Sequence, residues 1–384
     1  MRIESALARF RARAMQTVKR SPTQGQISRI AATDGGRWRE CIAGAEHDFY
    51  HGASYHHFAE ACGEGTAFLA LYREGERRLL WPYLQRPIQG LPGFHDVTSV
   101  YGYPGPLSAG GAADAGFLAR GCEGLLDLWR SEGAVSAFTR LHPLLSNHHL
   151  LPAGRPAMAR GKTVSLDLRR ASDEIWSGYR KTLRQGITRA RRAGLTVGQD
   201  TELCSLREFG KLYRETMARN QATPGYFFSD AYLCRLFAHL AGHARLTTVL
   251  WERRVVAGAV VVEWNGFVSY HLSATSERFL PLSPAKLLLD EIRLWAQQRG
   301  CHTLHLGGGR GGQGDSLFHF KTAFSAARHD FHTWNCVVRP EVYRDLTEMH
   351  RRQALTAGQV PAAEFFPLYG SPLVPVAAQT GGRS

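Results

Sequence analysis

The chain has 384 residues, of which 44% are hydrophobic and 21% charged. This composition excludes a disordered or coiled-coil protein and supplies enough apolar residues for two domains of about 150 to 200 residues each. Lys and Arg number 47 against 33 Asp and Glu, a formal net charge of +14. Such an excess predicts an anionic partner: nucleic acid, a phosphorylated substrate or an anionic membrane.

The first 26 residues are predicted to form a basic N-terminal helix or arm. Six cations and one acid, Glu4, fall among the first twenty positions. They are not accompanied by the continuous apolar stretch that a secretory signal requires. A transit peptide is the alternative interpretation of this segment.

Residues 27–165 are predicted to form a first α/β domain. The alternating and helical apolar patterns indicate a hairpin, a third strand, a helix and a closing strand. These elements are expected at Ala67–Arg73, Arg78–Arg86, Asp96–Tyr103, Ala113–Ser131 and Val135–Leu141.

Residues 166–336 repeat that order more clearly and are predicted to form a second domain. After a first strand at Thr163–Leu168, three strands are expected at Leu246–Trp251, Val255–Trp264 and Phe267–Ser273, with Asn265-Gly266 as a type I′ turn. Ser283 and Pro284 then signal the start of a long helix that Gly300 ends, and a strand and a second helix follow. Residues 337–384 are predicted to add a C-terminal helix and a mobile tail. The fold class is therefore α/β (α+β), with two similar domains, each a mixed, mainly antiparallel twisted sheet flanked by helices.

The cysteines and the apolar runs argue against a metal centre and a membrane span. Seven cysteines lie tens of residues apart without a CxxC pair, which excludes a disulfide scaffold and a zinc site and favours a reducing, cytoplasmic setting. The longest uncharged apolar run, Val255–Val262, is far shorter than the ~20 residues that a bilayer requires.

A basic helix is predicted between Trp176 and Ala193. Its apolar positions share one face, and the opposite face is cationic, with no acid in the segment. The cations are Arg180, Lys181, Arg184, Arg191 and Arg192, with Arg189 at the edge. Because like charges four residues apart repel, this face is expected to bind an anion, and a solvated surface is the alternative.

A glycine-rich connection and a lysine form the most chemically suggestive stretch, from Leu304 to Phe324. Gly307, Gly308 and Gly309 could present backbone N–H groups to an anion or an oxyanion, although the spacing fits no phosphate-loop motif. Lys321 lies beside the apolar stripe of the following helix. Its ammonium either extends to water or is held in a cleft, where it could stabilise developing negative charge.

These stretches resemble the Fem-type transferases. The similarity rests on YRKTLRQGITRARRAGLTV, LYRETMARN around Tyr213, SYHLSATSERFLPLSPAKLLLDEIRLWAQQRG and HLGGG…DSLFHFKTAFS, and it covers roughly residues 49 to 335. It implies two tandem GNAT-like acyltransferase domains and transfer of an amino acid from aminoacyl-tRNA to an amine, typically in peptidoglycan bridge synthesis. It also implies that Phe320 and Lys321 line the site, with the lysine assisting the tetrahedral intermediate.

The first hypothesis is thus an aminoacyl-tRNA-dependent amide-forming transferase without a cofactor. The five cations would meet tRNA or a nucleotide-linked acceptor, which is an amine on a peptidoglycan precursor or a natural product. Further candidates to line the acceptor cleft are Asp96, Tyr101, Tyr103, Tyr270 and His271, with Asp96 as a potential base.

Two alternatives stay open. An acyl-CoA-dependent GNAT N-acyltransferase acting on a small amine or amino sugar would use the same fold. Against it, the chain has no glycine between Gly266 and Gly300, where such enzymes carry a pyrophosphate loop. The other alternative is a non-enzymatic nucleic-acid-binding module, although no known reader motif is present.

Overall fold

The structure, a computed structural model, describes residues 25–375. Nearly all of the predicted N-terminal arm and the end of the C-terminal tail lie outside the described residues. The described chain forms two compact units. The first takes the chain up to Glu46, then Gly63–Met158 and the residues from His332 on, and the second takes His47–Cys62 and Ala159–Phe331. The sequence prediction placed the domain boundaries after residues 165 and 336.

Fifteen strands are found within residues 25–375. In chain order they are β1 (Gln26–Ala31), β2 (Thr66–Glu74), β3 (Arg77–Pro87), β4 (His95–Thr98), β5 (Leu107–Ala109), β6 (Ala134–Arg140), β7 (Met158–Asp167), β8 (Thr196–Asp200), β9 (Ala244–Trp251), β10 (Arg254–Trp264), β11 (Phe267–Thr275), β12 (Thr303–Gly308), β13 (Arg328–Val337), β14 (Gln359–Pro361) and β15 (Leu373–Pro375).

Ten α-helices accompany them in the described part of the chain. They are α1 (Gly35–Ile42), α2 (Ala53–Ala61), α3 (Ala115–Ser131), α4 (Ser172–Gly178), α5 (Lys181–Arg192), α6 (Leu206–Arg219), α7 (Asp230–His239), α8 (Pro284–Gln298), α9 (Ser316–Thr322) and α10 (Pro340–Thr356). None of these helices is both long and apolar enough to cross a membrane.

The two units have the same sheet topology. The first unit has the order β1-β2-β3-β4-β6-β13, with β5 also on β3, and the second has the order β8-β9-β10-β11-β12-β7. In each, the fourth and fifth strands are parallel and every other neighbouring pair is antiparallel. A helix, α3 or α8, connects the two parallel strands, as a parallel pair requires. This repetition confirms the predicted fold class.

The last strand of each sheet has sequence neighbours that belong to the other unit. β7 precedes the rest of the second sheet in the chain, and β13 reaches the first unit only after the second is complete. β7 was predicted from its sequence as a strand, whereas β13 was not predicted.

Local signals explain how the second unit presents its site. Asn265 and Gly266 both have positive φ, as the type I′ turn between β10 and β11 requires. Pro284 occupies the first turn of α8, where its missing N–H costs nothing. Ser283 occupies the N-cap position of α8 as predicted, but its backbone is left-handed at φ 57° and its side chain makes no capping hydrogen bond.

The core of the second unit lies where α5, α8 and α9 cover one face of the sheet. Ile187 of α5, Leu288 and Ile292 of α8, and Leu304 and Leu306 of β12 are all buried in it. Because β12 contributes alternate residues to this core, its backbone is fixed up to the point where the glycine-rich connection begins.

Candidate active site

The parallel strands β11 and β12 separate at the centre of the second unit. They pair from Phe267 and Thr303 to Ser269 and His305, and the pairing ends there although both strands continue. Beyond that point β11 remains paired with β10, and β12 remains paired with β7. Each of these two pairings contains a register shift. Bulges of this kind bend strands and are common beside active sites.

The glycine-rich connection begins at this separation. Gly307 has φ 72°, a left-handed backbone that favours glycine. A Cβ atom at Gly309 would lie 2.0 Å from the carbonyl oxygen of Gln313, so no larger residue fits. The glycines therefore allow the loop to fold tightly against itself, a structural role that is separate from the predicted presentation of N–H groups to an anion.

Asp315 ties this loop to the start of α9. Its Oδ1 accepts a hydrogen bond from the backbone N of Phe318, and its Oδ2 accepts bonds from the backbone N and from Nε of Arg310. Although burial raises the pKa of Asp315, the hydrogen bonds from Phe318 and Arg310 lower it overall. Arg310 also donates to the carbonyl oxygen of Asn220, which holds the loop against the end of α6.

Lys321 holds its ammonium group inside the second unit rather than in water. It is 7% exposed, and Nζ donates a hydrogen bond of 2.6 Å to the carbonyl oxygen of Gly308 at the end of β12. Burial lowers the pKa of Lys321 to about 8, and the carboxylate of Asp315 acts in the opposite direction. At pH 7 the ammonium is therefore mostly protonated, and it keeps N–H donors that Gly308 does not use.

Phe320, which was predicted to line the site together with Lys321, packs against the core. Its ring lies edge-on to Phe324 with centroids 5.4 Å apart and contacts the buried cluster of the second unit. Because Phe324 is 2% exposed, this contact anchors α9 and with it the backbone that carries Lys321.

Tyr270 and His271 follow the last β11–β12 pair, at the point where β11 shifts register against β10 and His271 is the additional residue of the bulge. Tyr270 packs on the core, and burial raises its pKa to about 12. His271 lies among Phe49, Tyr50 and Tyr55, with its Nδ1 3.4 Å from the Tyr50 hydroxyl.

The histidine is neutral at physiological pH. Burial lowers the pKa of His271 to about 4, with Asp48 acting in the opposite direction. A group with so low a pKa is a weak general base near pH 7.

The predicted basic helix is two helices, and the prediction of a single one is wrong. The break falls at Tyr179, whose ψ of 145° ends α4, and the backbone N of Arg180 donates to the carbonyl oxygen of Ala323 instead of continuing the helix. Tyr179 is buried, with its hydroxyl donating to Asp290 on α8. These partners are distant in sequence, so the local pattern did not reveal the break.

Two of the five predicted anion-binding cations have partners of their own. Arg184 donates to the carbonyl oxygens of Ser177 and Tyr179 and thereby closes the C-terminal end of α4. Arg191 pairs with the carboxylates of Asp290 and Glu291. The expectation of a face without acids is therefore wrong at Arg191, because both acids come from another helix.

The other three, Arg180, Lys181 and Arg192, are exposed. Lys181 and Arg192 line a surface groove of about 480 Å³ together with Trp176, Arg184, Arg189 and two polar residues. None of the described residues that line it is acidic. All the charged residues that line the groove are therefore cationic.

Asp96, Tyr101 and Tyr103 belong to the first unit, whereas Lys321 belongs to the second. Asp96 is buried on β4 and accepts hydrogen bonds from the hydroxyl groups of Ser136 and Tyr369. Burial raises its pKa, and these hydrogen bonds oppose the rise. Tyr101 and Tyr103 follow β4 and are partly exposed.

The comparisons with known proteins agree with this architecture. Residues 177–322 match the family model of the acetyltransferase (GNAT) domain. The crystal structure of FemX is similar with a TM-score of 0.64 at 13% identity, over 83% of this chain and 99% of that chain. A conserved protein of unknown function from Bacteroides thetaiotaomicron VPI-5482 gives a TM-score of 0.53 at 10% identity, over 82% and 99%. A tandem GNAT protein from the clavulanic acid biosynthesis pathway gives 0.48 at 11% identity, over 82% and 99%. The search of curated proteins gives no match.

The family match falls within the second unit and includes the separating strands, the glycine-rich connection and Lys321. Together with the duplicated sheet topology and the likeness to FemX, it confirms the predicted tandem fold. The second unit therefore contains an acetyltransferase (GNAT) domain, and the chain has a tandem fold like that of FemX.

Proposed function

We propose that the protein transfers an aminoacyl group from aminoacyl-tRNA to an amine and so forms an amide bond. The acceptor would be a peptidoglycan precursor or a natural product. No prosthetic group is needed, because the ester of the donor is already activated. Seven free cysteines are in keeping with action in the reducing cytoplasm.

The observation that carries this proposal is the buried ammonium of Lys321 beside the separating strands. A neutral amine attacks the ester carbonyl, a C–N bond forms, and the carbonyl oxygen becomes an oxyanion. Lys321 would donate a hydrogen bond to that oxyanion while Gly308 holds the ammonium in place. The C–O bond to the ribose then breaks, and the proton lost by the amine is delivered to the departing ribose oxygen.

The identity of the aminoacyl donor is inferred from the positive charge on the surface of the second unit. Arg180, Lys181 and Arg192 are exposed cations on the same unit as Lys321, and the groove beside them has no acidic lining residue. Phosphates of a tRNA would neutralise this surface and release bound counterions. Asp96, Tyr101 and Tyr103 stay predictions for the acceptor, as does Tyr270.

An acyl-CoA donor is the second candidate, because the matched family model is that of an acetyltransferase domain. The connection from β11 to α8 lacks glycine and enters the helix through Ser283 and Pro284. That sequence gives a diphosphate no glycine-lined loop to approach.

The two donors are separated by one experiment. The protein is incubated with a panel of candidate amines and tRNA charged with labelled amino acids, with or without ribonuclease, in parallel with labelled acetyl-CoA. Our expectation is an amide product that disappears when the charged tRNA is digested before mixing. A product that needs acetyl-CoA and is insensitive to ribonuclease would contradict the tRNA proposal and support the second candidate.

Replacing Asp315 by asparagine is expected to move the alkaline limb of the pH profile to lower pH. The carboxylate raises the pKa of Lys321, so its loss lowers that pKa further below about 8. Since the protonated lysine is the active form, kcat/KM should fall at a lower pH than in the native protein. The pH dependence of kcat/KM between pH 6 and 10 is the measurement.

The matched control is Asp330→Asn, which removes an exposed carboxylate that pairs with Lys162 in the same unit. It should leave the profile unchanged. If Asp315→Asn lowers the rate equally at every pH, Asp315 acts only by shaping the loop and the electrostatic argument is wrong.

A further inference from the structure

The groove on α4 and α5 combines positive charge with one partly exposed aromatic ring. Lys181, Arg189 and Arg192 supply charge, Gln185 and Thr188 supply polar groups, and Trp176 supplies the ring. Lys181 and Arg192 make no hydrogen bond or ion pair through their side chains within residues 25–375. The groove has a volume of about 480 Å³ and is open to solvent, so a chain longer than the groove can pass through it.

Trp176 is held in a fixed position. It packs against the core of the second unit, and its ring lies 5.6 Å from that of Tyr179 at a tilt of 55°. Arg184 closes the helix that carries it by donating to the carbonyl oxygens of Ser177 and Tyr179. An indole fixed in this way loses little conformational entropy when a second ring stacks on it.

We propose that this groove binds an unpaired segment of RNA, with one base stacked on Trp176 and the backbone phosphates against Lys181, Arg189 and Arg192. This assignment rests on the proposed function and identifies the part of the donor that the groove takes. Proteins bind single-stranded nucleic acids by two features: cations that contact the backbone phosphates, and aromatic rings on which the bases stack. A duplex offers no free base to the ring, and a membrane would require more apolar lining than one indole.

The test compares a 12-nucleotide single-stranded RNA with an abasic strand of the same length by fluorescence anisotropy. Trp176→Ala is expected to weaken binding of the RNA about 5- to 150-fold at fixed salt and to leave binding of the abasic strand unchanged. Trp176→Phe should retain most of the affinity. Lys181→Glu with Arg192→Glu should weaken both ligands and reduce the slope of log K against log salt.

Arg207→Glu with Arg235→Glu is the matched charge control, since both arginines are exposed in the same unit and neither lines the groove. This control should change RNA affinity and the slope of log K against log salt less than Lys181→Glu with Arg192→Glu does. Equal loss of RNA and abasic binding in Trp176→Ala would mean that the indole only supports the helix, and unchanged RNA binding would mean that no base stacks there. Either result overturns the inference.

The outcomes also separate this inference from the proposed donor. If transfer requires intact tRNA but Trp176→Ala binds RNA like the native protein, only the stacking site is wrong. If the native protein binds neither strand and transfer survives ribonuclease, the tRNA donor itself is wrong. Displacement of bound RNA by equimolar coenzyme A, which also carries adenine and phosphates, would reassign the groove to that ligand and overturn the inference.

Discussion

Replacing Lys321 by alanine is expected to reduce turnover by at least about 10²-fold while the fold is retained, the loss seen when an oxyanion donor is removed. The ammonium is 7% exposed and bound to the carbonyl oxygen of Gly308, so it is already positioned before substrate arrives. Because little water reaches the buried ammonium, its charge is screened less than that of an exposed lysine. The measurement is kcat with the donor and acceptor that the ribonuclease experiment identifies.

Two further variants test whether the loss of turnover in Lys321→Ala comes from the missing charge or from the missing packing of the side chain. Lys321→Met keeps an unbranched side chain of similar length without the charge, and it should lose as much activity as the alanine variant. Lys211→Ala removes an exposed lysine of the same unit and should be neutral. Near-normal turnover in Lys321→Met would show that the stem of Lys321, and not its ammonium, matters.

The pH dependence offers an independent check on the same residue. With a pKa of about 8, Lys321 is protonated at neutral pH and loses its proton as the pH rises through that value. The kcat/KM of the native protein should therefore fall above pH 8. The residual activity of Lys321→Ala should lack this alkaline limb.

The sequence predicted β9 to β12 and α8 of the second unit, because their signals are local, whereas α2, β8, α6 and α7 were not predicted. The type I′ turn at Asn265 and Gly266 and the start of α8 at Pro284 depend on residues next to each other in the chain. Helical spacing also placed Lys321 beside the stripe formed by Leu317, Phe320 and Phe324, but it left open whether the ammonium extends to water or is held in a cleft.

Features set by distant partners were not predicted. The helix break at Tyr179 depends on Asp290, more than a hundred residues away, and on the carbonyl oxygen of Ala323. Arg191 was assigned to an acid-free surface because Asp290 and Glu291 lie on another helix.

Alanine in place of Asp290 is expected to lower the free energy of unfolding of the second unit by about 3 to 5 kcal/mol. This carboxylate is 1% exposed. Its Oδ1 accepts hydrogen bonds from Arg293 Nη2 at 2.6 Å and from the Tyr179 hydroxyl at 3.2 Å, and its Oδ2 accepts one from Arg191 Nη2 at 3.0 Å. Without it the guanidinium of Arg293, which is 2% exposed, is left buried without its counter-charge. Urea unfolding followed by tryptophan fluorescence measures the loss.

Two further variants test whether the loss of stability in Asp290→Ala comes from an unpaired buried charge. Glu291→Ala removes the partly exposed partner of Arg191 and should cost less than about 1 kcal/mol, as ion pairs near the surface do. Asp290→Leu with Arg293→Met removes both buried charges and should recover most of the stability even if Asp290→Ala does not fold. An equal loss in the double variant would show that packing, and not charge pairing, holds α8 in place.

The same carboxylate connects stability to the basic helix. Tyr179 precedes α5 and Arg191 lies in its last turn, so Asp290 holds both ends of a helix whose cations repel one another. The double variant restores the core but not these two bonds. We therefore expect it to unfold near the native urea concentration and yet to bind single-stranded RNA more weakly, because α5 is no longer fixed on α8. Native-like RNA affinity in that variant would show that packing alone positions α5.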